Sequence, residues 1–234
     1  MKKLGVVSGT VSLDDQLFES MDTEIVETVY GSATVLSSGR ILYVPRHGVN
    51  PHHHILPHMI NHAANVKALR DLGASEIIGI NSTGSLNKLL PPGTLVIPDD
   101  FIVFAPTPTI FTDSATHVTP LLDEHIREGL ALAARACGMD LPTSAIYWQT
   151  GGPRFETKAE IRMMAHYCDI VGMTMASEAV ISCELEIPYA AVCSVDNLAH
   201  GIGAKALSID AVREGARKNA QKIAQIIKEY ARTF

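Results

Sequence analysis

Short apolar runs rich in valine and isoleucine alternate along this chain with longer segments whose apolar residues recur at helical spacing. The runs predict strands at residues 3–7, 33–36, 40–44, 77–81, 95–97, 144–149, 170–172 and 189–195. Pro57 suits the first position of a helix, on which His62, Val66, Leu69 and Leu72 share a face until Gly73 ends it. The same spacing predicts helices at 122–137, 158–166, 177–185 and 209–231. Ser208 is the expected N-cap of the last helix, and Val212, Ala216, Ile223, Ile226 and Ile227 form its inward stripe. Repeated strand, loop and helix units imply α/β architecture: a single three-layer domain over residues 1–234 with a mixed, mostly parallel central sheet flanked by helices.

Composition narrows the partners of such a domain. Hydrophobic residues make up 47% and charged residues 19%, enough apolar material for a large core and against disorder. A net charge of −6 with no basic stripe argues against nucleic acid as a partner. The apolar run after Lys2 and Lys3 is too short for a signal peptide, and no stretch is long enough to span a membrane. Cys137, Cys168, Cys183 and Cys193 are widely spaced with no CxxC pair, the pattern of reduced thiols in a cytoplasmic protein. The run Ala105-Pro106-Thr107-Pro108-Thr109 reads as an exposed loop inside the domain.

In parallel α/β sheets ligands bind where strands end and loops begin. Ser8-Gly9-Thr10, Asn81-Ser82-Thr83-Gly84-Ser85, Thr150-Gly151-Gly152 and Thr174 all follow predicted strands and offer hydroxyls and backbone N–H groups to an oxyanion. Taken singly, each is also an ordinary turn. Arg46-His47-Gly48 adds a guanidinium suited to phosphate, the plainer reading of which is a surface salt bridge. Gly151-Gly152-Pro153-Arg154-Phe155-Glu156-Thr157, with Gly172-Met173-Thr174 and Val195-Asp196-Asn197, suggests a pocket for a planar heterocycle beside that anion.

Together Arg46-His47-Gly48, the run from His58 to Leu69, Thr83-Gly84-Ser85-Leu86, Pro92-Gly93, the run from Gly152 to Glu160, and Gly172-Met173-Thr174 with Glu178-Ala179 resemble the trimeric purine nucleoside phosphorylases and the related methylthioadenosine and methylthioinosine phosphorylases. The resemblance covers nearly the whole chain in order. It implies reversible phosphorolysis of a purine nucleoside to free base and ribose 1-phosphate, or the 5-methylthio sugar phosphate, by a homotrimer. It also implies inorganic phosphate as co-substrate and no metal or organic cofactor. Carried over by position, phosphate falls to Thr10, Arg46, His47, Asn81, Ser82 and Thr174. Phe155 falls against the base and Met173 under the ribose, where a core role is the competing reading.

The resemblance makes Glu156 and Asn197 the catalytic, base-reading pair. A carboxylate accepts from a protonated N1 and an amide donates to O6 or N7, which suits a 6-oxopurine. The 6-aminopurine relatives typically hold serine and aspartate at these positions. A register shift of one would instead bring Asp196 to the base, although strand alternation keeps the two residues from facing the pocket together. Ile209 stands where ordinary nucleoside phosphorylases bind the 5′-hydroxyl with histidine, which favours a methylthio group. His200, and His117 reaching from a neighbouring subunit, are the polar alternatives there. Departures from the family pattern are Ser8, Val11, Ser177 and a short segment from Phe111 to Pro120.

Two readings of other classes remain. His58 and His62, at i and i+4 on the predicted helix, have metal-ligand spacing, but Met59, Ile60 and Asn61 between them supply no general base. A purine-binding protein that keeps the fold without turnover is the non-enzymatic alternative.

Overall fold

Strand β5 (Ala74–Ser85) organises the molecule because it has three neighbours. β1 (Lys3–Ser8) runs parallel along its first half, from Lys3 opposite Ala74 to Val7 opposite Gly79. β9 (Ile170–Gly172) joins antiparallel on that edge only at Gly84 and Ser85. β10 (Tyr189–Leu198) lines the other edge in parallel from Ile77 to Ser85. The segment 80–83 therefore lies in a seam where β1 has ended and β9 has not begun, which is where an α/β sheet opens a ligand crevice.

β2 (Asp22–Thr28), β3 (Gly31–Ser38) and β4 (Ile41–Pro45) form an antiparallel meander that joins β1 through β4. β7 (Asp100–Val103) and β8 (Ile146–Gln149) extend the far side from β9 in parallel, and β6 (Leu95–Val96) pairs antiparallel with β10. The sheet is mixed, with parallel strands at its centre, as the pattern predicts. The computed structural model describes residues 2–11, 22–50, 52–113, 115–203 and 208–233.

Both faces of the central strands are buried, which explains their near-continuous apolar runs. On one face Val7, Ile77, Tyr189 and Ala191 pack against α1 (His62–Asp71) and α4 (Met175–Glu184). On the other, Leu4, Val6, Ile78, Ile80 and Val192 pack against α2 (Glu124–Ala136) and α5 (Ile209–Thr233). A smaller cluster around Trp148 lies under α3 (Lys158–Met164), whose capping box joins Thr157 and Glu160. Among the described residues no helix is long and apolar enough to cross a membrane.

Three sequence expectations are corrected. The helix expected from Pro57 is a 3-10 turn at Pro57–Met59, and α1 starts only at His62 because Asn61 accepts from Ala64 N at 3.0 Å and caps it there. His58 and His62 thus do not share a helix face; His58 is exposed and His62 is buried. β2 and β7 were not expected: β2 is a polar, mostly exposed edge strand whose hairpin turns at Val29-Tyr30 without an Asn-Gly signal, and β7 is four residues long.

Candidate active site

The loops at the seam enclose a cavity of about 320 Å³. Thr10, Arg46, His47, Ser82, Phe155, Glu156, Met173, Thr174, Asn197 and Ile209 all line it. Asn81 and His117 do not: Asn81 is fully buried behind Thr174, and His117 lies exposed in segment 115–123. Leu56, Pro57, His54, Val212 and Arg213 also line the cavity, and sequence reasoning did not assign them.

Arg46 occupies the seam itself. Nη1 donates to Ile80 O at 2.7 Å and Nη2 to Val7 O at 2.9 Å, the carbonyls left by the parting strands. Nε and Nη2 fork onto Glu178 of α4 at 2.6 and 3.1 Å. Guanidinium has five N–H donors, so these four bonds leave one, on Nη1, for a ligand. The bidentate face expected to meet phosphate is spent on Glu178, and the pair is buried rather than a surface bridge. Burial opposes the charge on Arg46, but the adjoining carboxylate more than offsets it and holds the pKa above its ordinary value. Tyr189 Oη donates to Glu178 at 2.8 Å and anchors the pair to β10.

His47 packs against the first loop, where a Cβ on Gly9 would lie 2.5 Å from its Cδ2, so only glycine fits. Burial pushes its pKa to about 4, with Arg46 and His54 adding to the effect. In the neutral ring Nδ1–H donates to Ile55 O at 2.7 Å, which leaves Nε2 as an acceptor. His54 stacks on the ring at 4.3 Å, carried there by a loop that closes through Ile55 N and His47 O at 3.0 Å. In the sequence His54 is one of several adjacent histidines, and only this closure distinguishes it.

Thr174 is the N-cap of α4, and its Oγ1 accepts from Asn81 Nδ2 at 2.9 Å, so its own hydroxyl hydrogen is free for the cavity. Ser177 and Gln149 bond reciprocally at 2.6 and 3.2 Å, and Ser8 donates to Val11 O. These two departures from the family pattern close bonds of their own.

Thr150 Oγ1 donates to Glu156 Oε1 at 2.7 Å, which leaves Oε2 for a ligand. Asn197 Nδ2 gives one hydrogen to Leu198 O at 2.9 Å and keeps a second. A bulge in β10 decides between Asp196 and Asn197: Val195 pairs with Thr83 and Asn197 with Gly84, so Asn197 meets the cavity while Asp196 is buried. Phe155 and Met173 supply apolar walls, and Ile209 and Val212 of α5 close one side. His200 is occupied with Glu156 O at 3.0 Å and does not line the cavity. Among the described residues no three His, Cys, Asp or Glu side chains cluster as metal ligands.

A profile of the phosphorylase superfamily matches residues 3–232. The chain is 40% identical to a probable 6-oxopurine nucleoside phosphorylase of Archaeoglobus fulgidus, over 97% of this chain and 94% of that one. It is 33% identical to a probable S-methyl-5′-thioinosine phosphorylase of Methanocaldococcus jannaschii, over 97% and 91%. Among solved structures, methylthioadenosine phosphorylase from Schistosoma mansoni in complex with adenine superposes with a TM-score of 0.89 at 25% identity, over 100% of this chain and 92% of that one. From residue 3 to residue 232, this chain belongs to the phosphorylase superfamily.

Proposed function

We propose that this enzyme, a pentosyltransferase, catalyses reversible phosphorolysis of a 6-oxopurine nucleoside. The substrate is inosine, guanosine or 5′-methylthioinosine, and the products are the free base and ribose 1-phosphate or its 5-methylthio analogue. The observation that carries this reading is one cavity lined both by Glu156 and Asn197 and by Thr10, Arg46, His47, Ser82 and Thr174. The relatives named as 6-oxopurine nucleoside and S-methyl-5′-thioinosine phosphorylases support it. The buried Val212 and the half-exposed Ile209 favour the methylthio substituent, because neither side chain offers a hydrogen bond to a 5′-hydroxyl. 5′-Methylthioadenosine is the alternative, favoured by the likeness to the adenine-bound Schistosoma enzyme.

In the forward direction a phosphate oxygen bonds to C1′ as the C1′–N9 bond breaks, and the bonding pair leaves with the purine. Thr10, Thr174 and the remaining N–H of Arg46 are the donors to phosphate. With its Nε2 lone pair His47 suits hydrogen phosphate, which brings its own hydrogen. The second Asn197 hydrogen stabilises the charge growing at O6 or N7, and Glu156 Oε2 accepts N1–H. Phosphate is a co-substrate, and the chemistry needs no metal or organic cofactor. The four free cysteines suit the cytoplasm. We assign a homotrimer, to which the exposed Phe104, Leu121 and Tyr167 contribute apolar surface and in which His117 reaches a neighbour's cavity.

Asn197→Ala is expected to lower kcat about a hundredfold while leaving the phosphate KM nearly unchanged, because the amide acts on the leaving base. Asn197→Asp is expected to gain activity on adenine nucleosides. Full turnover by Asn197→Ala in a steady-state assay would remove Asn197 from this role.

A further inference from the structure

Asp196 holds the extra position of the β10 bulge and is 4% exposed. α5 presses on it from outside: a Cβ on Gly215 would sit 2.4 Å from Asp196 O and 2.7 Å from its Cα. Both carboxylate oxygens are engaged. Ser82 Oγ donates to Oδ2, and Ser194 Oγ donates to Oδ1. Ser194 Oγ accepts in turn from Asn219 Nδ2 of α5 at 2.9 Å. Of these residues only Ser82 reaches the cavity.

A serine hydroxyl has one hydrogen and two lone pairs, and an ionised carboxylate can only accept. With its hydrogen committed to Asp196, Ser82 turns lone pairs towards the cavity. We propose that Asp196 is a positioning residue that makes Ser82 Oγ an acceptor in the active site, so that Ser82 takes a hydroxyl hydrogen from a substrate. Two groups share that chemistry: a sugar hydroxyl of the nucleoside and the protonated oxygen of hydrogen phosphate. The inference rests on the phosphorolytic reading of the cavity and gives Ser82 a polarity within it.

Protonated Asp196 would donate to Ser82 and release the Ser82 hydrogen into the cavity, reversing that polarity. Burial pushes the Asp196 carboxyl up to about 6, against the pull of the Ser194 and Ser82 bonds. The groups around it are Ser82 on β5, Ser194 and the Cys193 thiol on β10, and Asn219 on α5. Leu95 and Val96 of β6 pair beside them, and Lys222 stands behind Asn219 at 3.5 Å from its Oδ1.

Asp196→Asn tests the assignment. Asn219 already donates to Ser194, so the Ser194 hydrogen still points at residue 196 and draws the amide oxygen. The new NH2 then faces Ser82, which becomes a donor at every pH. The KM of one substrate is expected to rise about tenfold at pH 7.5, with a smaller change in kcat. A rise in the nucleoside KM identifies a sugar hydroxyl, and a rise in the phosphate KM identifies hydrogen phosphate. In the wild type the same KM falls as pH rises through about 6, and the variant lacks that step, keeping only the pH dependence that Ser82→Ala also shows.

Because phosphate titrates near neutral pH itself, Ser82→Ala supplies the control and a second, independent variant. It should raise the same KM, and Asp196→Asn in that background should add nothing. Additive losses, or a KM for Asp196→Asn equal to the wild-type value at pH 7.5 to 8, would overturn the proposal. If the wild type turned over no nucleoside, the phosphorolysis reading would fall. The same cycle, read as Kd for inosine and for inorganic phosphate by calorimetry, would still decide what Asp196 does.

Discussion

His62 shows how one buried side chain ties stability to pH. It lies on α1 with Nδ1 4.0 Å from Glu178 Oε1, beyond hydrogen-bond range, and that nitrogen is buried without a hydrogen-bond partner among the described residues. Burial pushes its pKa to about 3, with Arg46 and His47 adding to the effect. Below the ordinary histidine value of 6.5 the unfolded chain takes up a proton that the folded chain refuses. Stability is therefore present above 6.5 and is lost as pH falls towards about 3. Asp196 works in the opposite sense: its raised value gives stability below 3.8 that is lost as pH rises through about 6. His62→Phe is expected to flatten the acid limb of a urea-unfolding series between pH 6.5 and 4, and an unchanged limb would show that His62 is not its source. That Thr10, His47, Glu156 and Asn197 would face one cavity was legible because each sits in a short motif at or beyond the end of a strand. The engagement of Arg46 with Glu178 was not, because the partners lie far apart in sequence and only the seam between β1 and β9 brings them together.

At the scale of elements, α5 sets both the wall of the cavity and the pose of the bulge. Its first turns supply Ile209, Val212 and Arg213, and Gly215 rests on the Asp196 backbone. On an exposed helix Gly→Ala gains about 1 kcal/mol in propensity. Here the added Cβ meets backbone that cannot yield, at an overpacking cost of about 1–3 kcal/mol. Gly215→Ala is therefore expected to lower stability despite the helix gain, and to raise the nucleoside KM as the wall shifts outward. A stabilised variant with an unchanged KM would mean that α5 does not bear on the bulge. The helix was predicted from its apolar stripe within two residues of its ends, and the central strands from their valine and isoleucine runs. β2 escaped because an edge strand with few buried residues carries no core pattern, and the bulge escaped because it depends on pairing with β5.

Across the whole molecule, the candidate site exists because the sheet is interrupted. Where β5 exchanges β1 for β9, a crevice opens, and a buried ion pair rather than a strand fills its floor. The loops after β1, β4, β8, β9 and β10 meet the last residues of β5 there, which brings hydroxyl, guanidinium, carboxylate and amide groups into one cavity of nucleoside scale. The three-layer architecture was legible from alternation alone, whereas the branching of β5 was not, since a run of 12 residues names no neighbours. On the proposed reading, this cavity joins phosphate to the sugar as it releases a 6-oxopurine. The most direct measurement is chromatography of the base released from inosine, guanosine, 5′-methylthioinosine and 5′-methylthioadenosine, each with and without phosphate. Hypoxanthine or guanine is expected to appear only when phosphate is present. Adenine as the main product, or no base from any of the four, would contradict that reading.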